Sequence, residues 1–117
     1  MTKVRFKSGV SLFGLHSEIL WAIDRARDVW SICAPGVDYL TVTSGRGGAH
    51  SLRSFHFLGL AADLRTRDLT EVQKKETVAA LKARLGDNFD VVLETDHLHV
   101  EYQPEGKRAY SVEQPFK

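Results

Sequence analysis

The chain has 117 residues, 43% of them hydrophobic and 26% charged, with sixteen basic side chains against fifteen acidic and a formal charge of +1. That length suits one domain, residues 1–117, built on a single two-layer core, and the composition is that of a folded rather than a disordered chain. The near balance of charge argues against nucleic acid or a membrane surface as partner, since a clustered basic excess supplies most of the affinity for either.

Residues 1–7 alternate charged and apolar and do not form the apolar run of a secretory signal. No stretch of the chain is long enough to span a bilayer. The expectation is a monomer, cytoplasmic on synthesis, that needs another route, such as lysis or a separate pore, to a substrate outside the cell. The first helix is expected over about Ser17 to Cys33, with Ser17 as N-cap, Glu18 in the first turn, and Ile19, Ile23, Ala26 and Trp30 on one face. Pro35 and Gly36 stop it. Cys33, the single cysteine, excludes an intramolecular disulfide and reads as a buried, inert thiol. Trp30 is expected in the core and Trp21 partly exposed.

Tyr39 to Thr43, rich in β-branched and aromatic residues, predicts a strand. Residues 44–54 (SGRGGAHSLRS) hold three glycines and three serines and read as a loop. A short strand over Leu60 to Arg65 follows, and then a helix with a Thr70–Gln73 capping box, a Val78, Leu81, Leu85 stripe and Gly86 as its stop. Phe89 to Glu94 and His97 to Tyr102 predict two strands joined by a tight turn at Thr95 and Asp96. The fold class is α+β: a small antiparallel-dominated sheet with two main helices packed on it. The tail after Gln103 is polar and is expected to cover the sheet edge loosely.

The histidines carry most of the chemistry. His97 and His99 lie two apart on a strand, so both rings project from one face while Leu98 and Val100 point into the core. Such convergence suits a metal, although an isolated His-x-His is more often a pair of surface residues. Asp63 lies among Leu60, Ala61, Ala62 and Leu64, where an unpaired carboxylate is costly, so it needs a cation: a metal or a neighbour such as Arg65. Small residues at Gly59, Ala61 and Ala62 let neighbouring backbone come close.

The run Ser54-Phe55-His56-Phe57-Leu58-Gly59-Leu60-Ala61-Ala62-Asp63 resembles the S-x-H-x-x-G-x-A-x-D signature of the LAS-type zinc peptidases. These include D-alanyl-D-alanine carboxypeptidases and phage L-alanyl-D-glutamate endolysins. Asp96-His97-Leu98-His99-Val100-Glu101 resembles their second signature, D-x-x-H with an H-x-H. Thr43-Ser44-Gly45-Arg46 is similar to their T-S-G-x-R, with the arginine one position early. The resemblance spans about residues 39–101 and implies His56, Asp63 and His99 as ligands of Zn2+ on the open face of the sheet. It further implies Asp96 as catalytic base, His97 beside the developing oxyanion, and Arg46 on the substrate carbonyl or carboxylate.

Two histidines and a carboxylate leave one zinc position open for water, whose pKa the ion lowers toward about 7. The expected activity is a metallopeptidase's: hydrolysis of an amide bond in peptidoglycan stem peptides, of the D-Ala-D-Ala carboxypeptidase or L-Ala-D-Glu endopeptidase type, in a phage, prophage or cell-wall-remodelling enzyme. The alternatives are an inactive metal-containing binding module on the same fold and a metal-free structural domain. Strand alternation aims Asp96 away from His97 and His99, so its role requires it to belong to the turn; Glu94 is the rival base. His50 and Ser54 are candidate substrate contacts, His16 reads as a structural or surface residue, and Arg65-Thr66-Arg67 reads as a solvated face.

Overall fold

The computed structural model of the chain describes residues 2–10, 14–44 and 59–103. In chain order the elements are β1 (Lys3–Phe6), α1 (Ser17–Cys33), β2 (Tyr39–Ser44), β3 (Ala61–Arg65), α2 (Glu71–Leu85), β4 (Phe89–Leu93) and β5 (His97–Tyr102). The strands form one five-stranded sheet in the order β1-β2-β3-β5-β4. The class is α+β, but the sheet is mixed rather than antiparallel-dominated, because β1 joins as an edge strand parallel to β2. The charged–apolar alternation of the first residues is therefore a strand pattern, with Val4 and Phe6 packed against the core and Lys3 and Arg5 outward.

Both helices begin and end for local reasons. The Thr70 side chain accepts from the Gln73 N–H while Gln73 accepts from the Thr70 N–H, so two otherwise orphaned donors of α2 are satisfied reciprocally. At the other end, Gly86 takes φ +82° and its N–H donates to the Lys82 carbonyl. On α1 the cap is His16 rather than Ser17: its Nδ1 accepts from the Glu18 N–H at 3.2 Å. Its ring also packs on Tyr102, 5.4 Å between centroids. Cys33 is half-buried rather than buried, packed at the margin of the core.

The core lies between the helices and one face of the sheet. Ile19, Ile23, Ala26 and Trp30 of α1 and Leu81 and Leu85 of α2 meet Leu40, Val42, Ala62, Leu64, Leu98 and Val100. Leu64 and Leu98 are opposite one another across β3 and β5 and are essentially fully buried. Each such side chain stabilises the fold by roughly 1.5–3 kcal/mol. Strand alternation then leaves Thr41, Asp63, Arg65, His97, His99 and Glu101 to the other face.

The chain crossing matters for that second face. β4 and β5 form a hairpin, with Leu93 opposite Leu98, and the hairpin folds back so that β5 enters the sheet beside β3. The resulting register places Asp63 opposite His99, Arg65 opposite His97 and Ala61 opposite Glu101. The Thr66 N–H donates to the Asp96 carbonyl at 3.3 Å, tying the hairpin turn to the end of β3. At the entry to β3, Gly59 has φ +77° and accepts from the His16 N–H at 2.9 Å. A Cβ there would sit 2.2 Å from the Gly14 carbonyl oxygen, which explains why only glycine fits.

Candidate metal centre

Asp63 and His99 face each other across β3 and β5, and their side chains meet: Asp63 Oδ1 is 2.9 Å from His99 Nδ1. The same Oδ1 is 3.6 Å from His97 Nε2, one register step away. His97 Nδ1 in turn is 2.7 Å from Asp96 Oδ1, and His99 Nε2 is 3.0 Å from Glu101 Oε1. Gln103 Nε2 donates to Glu101 Oε2 at 2.6 Å. The result is an unbroken row, Asp96, His97, Asp63, His99, Glu101 and Gln103, in which carboxylates and imidazoles alternate. Asp63 is largely buried within it, with a relative exposure of 8%.

Three carboxylates against two imidazoles leave the row with net negative charge whichever way the histidines titrate. A cation is the natural complement. In its absence the proton takes that role on His99: burial disfavours the charged ring, but hydrogen bonds and attraction from Asp63 and Glu101 outweigh it and raise its pKa to about 9. Asp96 is exposed at the rim, and the hydrogen bond from His97 holds its carboxyl below the ordinary value. It is therefore ionised at neutral pH.

Strand parity predicts that Asp96 points away from the histidines, and the structure resolves that difficulty. Asp96 lies in the bend before β5, outside the alternation, and its carboxylate turns back onto the His97 face. Glu94 closes the hairpin instead, its N–H donating to the His97 carbonyl at 2.8 Å. Asp63, Asp96 and His97 line a cavity of about 380 Å³. A bulge between Val42 and Ser44 lets the consecutive residues Thr43 and Ser44 both line it.

Lys7, Arg65 and Arg67 complete the cavity wall. Arg67 is exposed, as a solvated face requires, but Arg65 is half-buried and Thr66 fully buried, and both arginines line the cavity. On the helices arginines are matched to acids, as Arg27 is with Asp24 at 2.8 Å and Arg84 with Asp28 at 3.7 Å. Lys7, Arg65 and Arg67 place three positive charges on the wall of the cavity that Asp63 and Asp96 also line.

Asp63 and His99 fit a metal ion as two adjacent donors. Ligands of a tetrahedral zinc ion at 2.0–2.1 Å lie about 3.3 Å apart, and their 2.9 Å separation needs only a small adjustment once a cation replaces the shared proton. Among the described residues no group of three His, Cys, Asp or Glu is disposed to hold a metal. His56, the third ligand that the resemblance implies, lies outside the described residues, as do Arg46, His50 and Ser54. The described structure thus brings together Asp63, His97, His99 and Asp96. It adds Lys7 and Gln103, to which the sequence gives no role. It brings in Arg65, expected only as a possible neighbour of Asp63, and Arg67, expected on a solvated face, and gives Glu101 of the second motif a contact with His99. Glu101 was within reach, since it continues the 97, 99 parity by one more step.

No family model, curated protein or solved structure matches the chain. Among the described residues, no helix is long and apolar enough to cross a membrane.

Proposed function

We propose that the chain is a zinc-dependent peptidase that hydrolyses an amide bond in peptidoglycan stem peptides, of the D-Ala-D-Ala carboxypeptidase or L-Ala-D-Glu endopeptidase type. The resemblance to LAS-type peptidases over residues 39–101 supplies the substrate class and a phage, prophage or cell-wall-remodelling context. The observation that carries the reading is the row in which Asp96, His97 and Asp63 line a cavity that also presents three cations, with His99 bonded to Asp63 behind them.

Asp63 and His99, with His56, are the residues that would hold the ion. When bound, the ion supplies Lewis-acid activation of water and of the scissile carbonyl. The remaining steps belong to the chain. Asp96, ionised and at the cavity rim, takes a proton from the attacking water and delivers it to the leaving amine, so that one carboxylate serves as base and then as acid. His97, held by Asp96 through Nδ1, presents its ring to the cavity and offsets negative charge growing on the carbonyl oxygen. Lys7, Arg65 and Arg67 receive carboxylates of the stem peptide, which fix the chain beside the site.

Release of peptide from purified peptidoglycan by the zinc-loaded wild type and by Asp96→Ala tests the proposal. Hydrolysis by the wild type and its loss in Asp96→Ala with zinc retained is the expected result. Zinc binding without hydrolysis by the wild type makes the chain a metal-containing binding module instead. Full activity in Asp96→Ala shifts the base to Glu94.

A further inference from the structure

We infer that Glu101, steadied by Gln103, is the positioning residue of the metal centre: it accepts a hydrogen bond from the Nε2–H of His99 and thereby aims the Nδ1 lone pair at the ion held with Asp63. The inference rests on the metal reading above and adds a definite ring orientation and a residue not otherwise assigned.

The geometry leaves few choices. His99 has two ring nitrogens and cannot offer both to the ion. Nδ1 is the one beside Asp63, at 2.9 Å, and Nε2 is turned the other way, 3.0 Å from Glu101 Oε1. A metal-ligating histidine ordinarily donates its second N–H to a carboxylate or carbonyl, which settles its tautomer and strengthens it as a donor. Glu101 is built for that task. It shares a strand face with His99, and the residue opposite it on β3 is Ala61, whose single methyl leaves the carboxylate room beside the ring. Its other oxygen, Oε2, accepts from Gln103 Nε2 at 2.6 Å. Gln103 is itself buried, and its backbone N–H donates to the Asn88 carbonyl at 2.6 Å, so the support reaches back to the loop before β4.

A carboxylate serving only solubility would be free of such restraint. Here both Glu101 oxygens are engaged, one by the ring and one by the buried amide. The Glu101 side chain is about one-fifth exposed, so water competes only partly for these bonds.

The test uses the full chain loaded with Zn2+ and, separately, with Co2+. Long-range 1H–15N NMR of the zinc form should show His99 protonated on Nε2 and metal-bound through Nδ1. Glu101→Ala should weaken zinc binding by about 10–100-fold in competition with a chelator and alter the visible Co2+ spectrum. Glu101→Gln, which keeps an acceptor oxygen, should recover most of that affinity, and Gln103→Ala should show a smaller loss of the same kind without touching the ring. Wild-type zinc affinity in both Glu101 variants, or a metal bound through Nε2, overturns the positioning role while leaving the metal centre intact. A wild-type chain that takes up no zinc overturns the metal reading and this role together.

Discussion

Raising the pH of the metal-free protein removes the proton that binds His99 to its two carboxylates. The folded ring keeps that proton up to about 9, whereas an unperturbed histidine loses it near 6.5. Because the folded pKa is the higher, the contribution to stability is complete below pH 6.5 and is lost as pH rises through about 9. The two values differ by about 2.5 pH units (about 9 less 6.5), which at ~1.4 kcal/mol per unit amounts to about 3 kcal/mol. For a domain of this length that corresponds to a fall in Tm of roughly 10 °C. Calorimetry of EDTA-treated wild type and His99→Gln across this window checks the magnitude, and an NMR titration of the His99 ring checks the pKa itself. His99→Gln should flatten the curve. A wild-type profile that is level or rising over the window, or a slope that survives in His99→Gln, refutes the reasoning. Zinc should reverse the trend, because the ion binds only the neutral ring and its stabilising effect grows as pH rises.

Asp96→Ala should retain zinc and lower the hydrolysis rate by about 10²–10⁴-fold, the usual contribution of a positioned proton carrier, as read by peptide release. Gly59→Ala should destabilise the fold by at least ~1–3 kcal/mol in chemical denaturation, since the residue has φ +77° and its new Cβ would meet the Gly14 carbonyl. An unchanged midpoint would mean that this close approach does not exist. Arg65→Ala should raise KM for a stem peptide more than it lowers kcat, and the effect should shrink when the peptide carboxylates are amidated. Equal kinetics on free and amidated peptides would remove Arg65 from substrate recognition.

Much of this arrangement is legible in the residues themselves, where local chemistry alone decides the structure. The Thr70–Gln73 box and Gly86 delimit α2 because caps satisfy backbone groups within a few residues. His97 and His99 share a face because a strand alternates, and the same rule puts Leu98 and Val100 in the core. The Gly59 of the first motif has a visible physical reason in its contact with Gly14. What the sequence conceals is non-local. β1 is four residues long and is held by pairing with β2, from which it is separated by all of α1, so its alternation is easily taken for an irregular start. His16 displaces Ser17 as cap because its ring also finds Tyr102. Lys7, Arg65 and Arg67 meet only when β1, β2 and β3 assemble around one cavity. Asp96 reaches the His97 face through the bend, which strand parity by itself cannot describe.

Elemental analysis of the purified chain, with its Asp63→Ala and His99→Ala variants, tests the central claim most directly. One zinc per wild-type chain, lost from both variants while the helical content is kept, is the result that follows from Asp63 and His99 holding one ion across β3 and β5. A wild-type chain without zinc, or a His99→Ala chain that keeps its zinc at full affinity, contradicts it.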